Sequence, residues 1–196
     1  MRFPRATHLI AHCKSEKQAV WLKDMIARRL AQCHLELHPE KTKIVYCKDD
    51  DRAENYLNES FDFLGFAFRP RGAKSHTGNY FVGFLPGISP KAGKAIRATI
   101  RSWSLHRMSD KSLLDLSRMF NPIIRGWLNY YGSYYRTALY PLCYHLNRVL
   151  KRWAMRKFKR LRGRQRRAAR WLRRIKQQQP GLFAHWQLAS LPSAGR

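Results

Sequence analysis

Asp115 is the last acidic residue of this chain, and the stretch beyond it carries 19 Lys and Arg with no Asp or Glu. Repulsion of that strength needs a counter-ion partner, and no partner can come from within the stretch. The basic side chains therefore belong on the water-facing sides of elements whose other side is apolar. The whole chain holds 39 Lys and Arg against 12 Asp and Glu, a net charge of +27. Residues 1–115 contribute +8 of this and residues 116–196 contribute +19. The asymmetry separates a near-ordinary N-terminal part from a C-terminal part that faces a polyanion. Nucleic acid is the commonest polyanion, and an anionic membrane surface is its rival. No run of 18 apolar residues occurs, so no transmembrane helix is expected. Residues 1–10 lack the apolar core of a signal peptide, which points to an intracellular, cytoplasmic protein.

The chain is 44% hydrophobic and 13% aromatic, rich enough to bury a core in one domain or two small ones. Cys13, Cys33, Cys47 and Cys143 are too widely spaced for a zinc pair and are expected to be free, inert thiols. Residues 8–13 and 43–47 read as strands. Between them Ser15 offers an N-cap, with Gln18 as its capping-box partner. Leu22, Met25, Ile26, Leu30 and Cys33 follow at helical spacing, which predicts a helix over 16–33. Asp49, Asp50 and Asp51 form a polar connector. Phe61, Phe63, Phe66 and Phe68 around Gly65, with Tyr80–Phe84, predict a hairpin that turns between Gly72 and Gly78. Leu85-Pro86-Gly87 marks a boundary.

Beyond it the reading is all-helical. Ser89 caps, and Pro90 takes the first helical position. In a helix over 90–106, Ala92, Ala95, Ile96, Thr99, Ile100 and Trp103 fall on one side, and Lys91, Lys94, Arg97 and Arg101 on the other. Ser109 opens a second helix, with Leu113, Leu116 and Phe120 inward. Asn121-Pro122 ends it and starts a third, with Ile123, Ile124, Trp127, Leu128 and Tyr131 inward. A fourth runs over 140–161. Residues 190–196 are expected to fray.

Residues 148–176 concentrate the charge, with 15 Lys and Arg interleaved with Trp153, Phe158 and Trp171. Guanidinium groups bind phosphates bidentately and stack on bases. The candidate backbone contacts are Lys91, Lys94, Arg97, Arg101, Arg125, Lys151, Arg152, Arg156, Lys157, Lys159, Arg160, Arg164 and Arg167. Trp153 and Trp171 are candidates for stacking, although aromatics at helical spacing more often pack inward. Asp49 to Asp51 read as a solvated turn, and His8 and His12 lack a third ligand, so no metal site is expected.

Several ordered stretches resemble group II intron reverse transcriptases. Residues 35–44 resemble the last palm segment and 61–66 the hairpin after it. Residues 88–92 resemble the start of the thumb, or maturase, domain. Residues 121–132 (NPIIRGWLNYYG) are similar to that domain's most recognisable stretch, and 182–186 to its ending. The resemblance implies a small partial palm over 1–85, a helical thumb of three or four helices over 88–176 and a tail over 177–196, an α+β chain as a whole. It implies binding to group II intron RNA, help with splicing and intron mobility, and contact with a template-primer duplex. It also places Lys41 at a palm lysine near the incoming nucleotide.

One departure is specific. Where the resemblance puts a Tyr-Ala-Asp-Asp motif, this chain has Arg5-Ala6-Thr7-His8. Two divalent ions clamped by carboxylates carry out nucleotidyl transfer, and Thr and His do not replace those carboxylates. The fingers, the first half of the palm and the endonuclease module have no counterpart. The expectation is a truncated module without catalytic residues or cofactor, Mg²⁺ being needed only by an intact polymerase or by the intron RNA. The alternatives are a thumb that serves a separate fingers–palm chain and a generic basic nucleic-acid-binding protein.

Overall fold

The computed structural model describes residues 9–52, 54–75 and 77–188. α1 (Glu16–Gln32) forms where the spacing predicts it. Ser15 Oγ accepts from the Gln18 N–H, while the Gln18 side chain accepts from the Lys14 N–H, one residue before the Ser15 N–H that a capping box would bond. None of the residues of α1 is buried. Neither predicted strand beside it forms. Residue 8 lies outside the described residues, 9–13 is irregular, and 43–47 forms no ladder. Tyr46 N–H reaches the Asn58 carbonyl at 2.9 Å, and that single bond does not make a strand. A strand exists by pairing, and the described sheet has no place for either stretch.

That sheet is antiparallel, in the order β1 (Phe61–Phe63), β2 (Phe66–Lys74), β3 (Tyr80–Ile88). Its first turn is Leu64-Gly65, both at positive φ, 47° and 82°. Positive φ at both positions is what a two-residue turn needs to match the twist of the flanking strands. The second turn starts beyond Lys74, because Gly72 still pairs with Val82 and Ala73 with Phe81. β3 also runs on through Leu85-Pro86-Gly87 to Ile88, so the predicted boundary is strand. Pro86 is tolerated there because β3 is the outer strand of the sheet.

α2 (Pro90–Ser102) follows at once, with Ser89 Oγ accepting from the Ala92 N–H at 3.1 Å. Gly93, Ile96 and Ile100 face the core, whereas Ala95 and Thr99, read as inward, are exposed. The helix ends short of 106, at a left-handed Ser104, and one 3₁₀ turn (Leu105–Arg107) completes the segment.

The two helices predicted on either side of Asn121-Pro122 are one, α3 (Leu113–Tyr131). It starts at Ser112 and not Ser109, in a capping box with Asp115 that holds the Asp115 carboxyl below its usual pKa range. Pro122 lacks an N–H to donate, and an interior proline costs about 3 kcal/mol or more. The packing outweighs that cost. Leu116 and Phe120 before it and Ile124 after it enter the same core. Asn121 is also pinned from both sides of its amide, donating to the Leu182 carbonyl at 2.9 Å and accepting from the Ala184 N–H at 3.0 Å. Ile123, read as inward, is exposed.

After a 3₁₀ turn (Arg136–Leu139), α4 (Tyr140–Lys157) stops short of the predicted 161, and a second such turn (Lys159–Leu161) leads to Gly163 at φ 70°. α5 (Gln165–Gln178) and α6 (Ala184–Leu188) complete the described chain. Trp103, half-buried, stacks between Phe120, at 4.2 Å, and Trp127, at 5.6 Å, and packs against the core. Phe183, Ala184, Trp186 and Leu188, from the stretch read as a tail, are also core residues. The predicted fraying of 190–196 falls outside the described residues.

The hairpin docks on the end of α3. Phe66 meets Tyr130, Tyr131 and Tyr134 at 5.1, 5.4 and 5.8 Å, and the Tyr130 hydroxyl donates to the Leu64 carbonyl at 2.9 Å. A Cβ on Gly65 would stand 2.9 Å from the Tyr131 hydroxyl oxygen, so the turn conformation and the close approach both call for glycine.

Candidate nucleic-acid interface

Most of the predicted cations reach solvent. Lys91, Lys94, Arg101, Arg125, Arg152, Arg156, Lys159, Arg160, Arg164 and Arg167 are exposed, and Arg97, Lys151 and Lys157 are half-buried. Lys41 is exposed as well, in the loop region between α1 and the sheet, apart from the helical elements.

Two helices contribute to one basic face. α2 packs on α4, and Arg97 and Arg101 from the first converge with Arg148 and Arg152 from the second around His145. Burial pushes the pKa of His145 down, and these four guanidinium charges push it further. An Arg148 Nη donates to His145 Nδ1 at 3.0 Å. Arginine has no acceptor, so the imidazole is neutral with its proton on Nε2. The helix keeps a neutral ring where a charged one would add to the repulsion.

α5 packs along α4 and carries the rest. Its buried residues are Ala168 and Leu172, while Arg166, Arg167, Arg170, Arg173 and Arg174 are exposed. At its start, Arg164, Gln165, Arg166 and Arg167 line a shallow open groove of about 390 Å³. Arg148, Arg166, Arg170, Arg173 and Arg174 were legible only as part of the charge count, because burial, which the count does not contain, separates them from the core positions between them.

Lys157 differs from its neighbours. Its ammonium donates to the Ser109 and Lys111 carbonyls at 2.9 and 2.7 Å and lies over the Trp153 ring at 5.6 Å, so it ties α4 to the loop before α3. Trp153 is 1% exposed, with Nε1 donating to the Met108 carbonyl at 2.8 Å, and it has no face for a base. Trp171 packs against Phe158 at 5.3 Å. The spacing argument for inward packing holds for both, and the candidate stacking role does not fit Trp153. The exposed aromatics of the helical elements are tyrosines instead, Tyr130, Tyr134 and Tyr144.

Among the described residues the ion pairs are Lys48–Glu59, Arg52–Asp49 and Lys111–Asp110, all before residue 116. The basic face therefore has no internal counter-charge. Residues 93–174 match a family model, that of the group II intron, maturase-specific domain. The helical region is similar to that maturase-specific domain. No curated protein and no solved structure matches the chain.

The core of the helical region extends past the matched residues on one side. Asn147 Oδ1 of α4 accepts from Trp186 Nε1 at 2.8 Å and from His185 Nε2 at 2.9 Å. Burial drives the pKa of His185 down to about 3, so this ring too is neutral. Cys143 is pushed up to about 11 by burial and stays a thiol, as the cysteine spacing suggested. Asp50 is no free turn residue. Its carboxylate accepts from the Val82 N–H at 2.8 Å, and its own N–H donates to the Val82 carbonyl, which covers part of the β3 edge. Among the described residues no three His, Cys, Asp or Glu side chains group as a metal site, and no helix is long and apolar enough to cross a membrane.

Proposed function

We propose that this chain binds structured RNA, the RNA of a group II intron, through the basic surface of its maturase-specific domain, and that it assists the splicing and mobility of that intron. The observation that carries the reading is a coincidence of position. The residues matched to the domain, 93–174, are those in which arginines from α2, α4 and α5 reach solvent without an acidic partner. The domain name supplies the intron, and the uncompensated surface supplies the chemistry for its phosphates.

In this reading the chain does not transfer nucleotides. The place of the catalytic aspartates holds Thr7 and His8, which lack the two hard carboxylates that a pair of Mg²⁺ ions requires. Residues 1–85 are then palm-like, with Lys41 as a phosphate contact, and 88–188 form the binding module, whose core takes in Phe183, Ala184, Trp186 and Leu188. A second reading, in which the chain lends a thumb to a polymerase whose fingers and palm are another chain, draws support from α1, which leaves Val20, Trp21 and Met25 exposed.

Salt-titrated binding to a group II intron RNA and to a scrambled RNA of equal length tests the main reading. The expected result is tighter binding to the intron RNA, with affinity for both falling on the order of a thousandfold between about 50 and 200 mM salt if six to ten phosphates are neutralised. Equal affinity for the two RNAs would leave only generic electrostatic binding. Primer extension with Mg²⁺ separates the enzyme readings. Incorporation by the purified chain alone contradicts the loss of catalysis, and incorporation only after a fingers–palm chain is added supports the second reading.

A further inference from the structure

The basic surface explains affinity for any polyanion, and its arginines carry no preference between paired and unpaired RNA. One side chain on it has different chemistry. Tyr144 is 72% exposed, on the same row of α4 as Arg148, Arg152 and Arg156, with a spacing of four residues throughout. Side chains four apart on a helix are neighbours on its surface, each about 6 Å further along the axis. All three arginines of the row are exposed.

The other aromatics of the helical elements are engaged. Trp103, Trp127, Trp153, Phe158 and Trp171 pack against one another or into the core. Tyr130 and Tyr134 hold Phe66 of the hairpin. Tyr144, by contrast, makes no ring contact or side-chain hydrogen bond among the described residues. A large amphipathic ring left open on a cationic row is suited to the flat face of a nucleobase. A base within a duplex has both faces covered by its neighbours, so a lone surface tyrosine can only reach one that has left the stack. Its ligand is therefore an unpaired nucleotide of a loop, a bulge or a single-stranded end.

We propose that Tyr144 is the base-stacking residue of this interface, taking an unpaired base of the bound RNA on its ring while Arg148, Arg152 and Arg156 hold the adjoining phosphates. The proposal rests on the RNA-binding reading above and narrows it. The domain selects RNA by the presence of unstacked nucleotides at a fixed distance from a phosphate track.

The test uses the full chain and two defined probes, an RNA hairpin with a loop of unpaired adenosines and a blunt duplex with the same stem. Because Tyr144 is so exposed, Tyr144→Ala and Tyr144→Phe should keep the wild-type circular dichroism spectrum. Tyr144→Ala is expected to lose roughly tenfold to a hundredfold in affinity for the hairpin and to bind the duplex as wild type does. Tyr144→Phe keeps the ring and should bind both probes normally. The double variant Arg148→Ala/Arg152→Ala should weaken both probes and flatten the salt dependence by about one power per charge removed. The stacking role is overturned if Tyr144→Ala binds the hairpin normally, if it loses equally on both probes, or if Tyr144→Phe loses as much as Tyr144→Ala. In those cases a weakened arginine variant leaves the RNA-binding reading standing. If the arginine variant binds both probes like wild type, this face is not the interface and both proposals fail.

Discussion

α1 and α5 are built on opposite terms. α1 has the better local signals, with a Ser15 cap, Glu16 in the first turn and Arg29 in the last. α5 has no side-chain cap at Arg164 and no acid in its first turn, where the positive end of the helix dipole meets Arg166 and Arg167. Yet α1 buries nothing, while α5 buries Ala168 and Leu172 and lays Trp171 on Phe158. Short helices gain most of their stability from the face they pack, and caps only tune it. The helical region can therefore carry a dense one-sign surface. Its core supplies the cohesion that its charges oppose.

The difference is largest for buried aromatics. Trp153→Ala, at a residue 1% exposed, is expected to cost about 3–5 kcal/mol of global stability in urea unfolding. Trp21→Ala in α1, at a residue 61% exposed, should change it by no more than about 0.5 kcal/mol. A similar cost for both would mean that α1 shares the same core. Acidification gives the next largest effect. The buried histidines among the described residues, His145 and His185, are both in the helical region. The pKa of His185 is depressed to about 3 in the folded state, against about 6.5 for a free imidazole, so its contribution is complete above pH 6.5 and is lost as the pH falls towards 3. Stability should decline by about 1.4 kcal/mol per pH unit below pH 6.5 from this group alone, and the depressed His145 acts in the same direction. A denaturation midpoint that stays level from pH 7 to pH 5, or a His185→Gln variant with the same decline, contradicts this. The smallest effect comes from the caps. Ser112→Ala should lower global stability by about 1 kcal/mol, whereas Ser15→Ala should reduce hydrogen-exchange protection within α1 and leave global stability unchanged.

The sequence allowed α1, the hairpin and the start of α2 to be read because each is specified locally, by Ser15, by the Phe-rich alternation and by Ser89-Pro90. Where the outcome depended on a distant partner, the reading diverged. Pro122 looks like a break until the clamp from Asn121 to Leu182 and Ala184, more than 60 residues away, is known. Residues 43–47 look like a strand, but a strand needs a neighbour, and periodicity does not report one. The interface divides in the same way. Its charge was plain from composition. Lys157, however, was indistinguishable from its exposed neighbours until the Ser109 and Lys111 carbonyls placed it. Tyr144 is one tyrosine among nine and carries no pattern in the sequence.

The Asn121 clamp has a consequence for the order of events on the ribosome. Ile100, Trp103, Phe120 and Leu146 share a pocket with Phe183 and His185, so the walls of the core are translated well before its lid. Asn121 and Leu182 are 61 residues apart, and at roughly 5–20 residues per second Asn121 waits about 3 to 12 seconds for its clamp. During that interval the nascent chain presents an open apolar cleft beside a lengthening row of arginines. Anything that holds the row in that window, RNA included, holds the protein before it has finished folding.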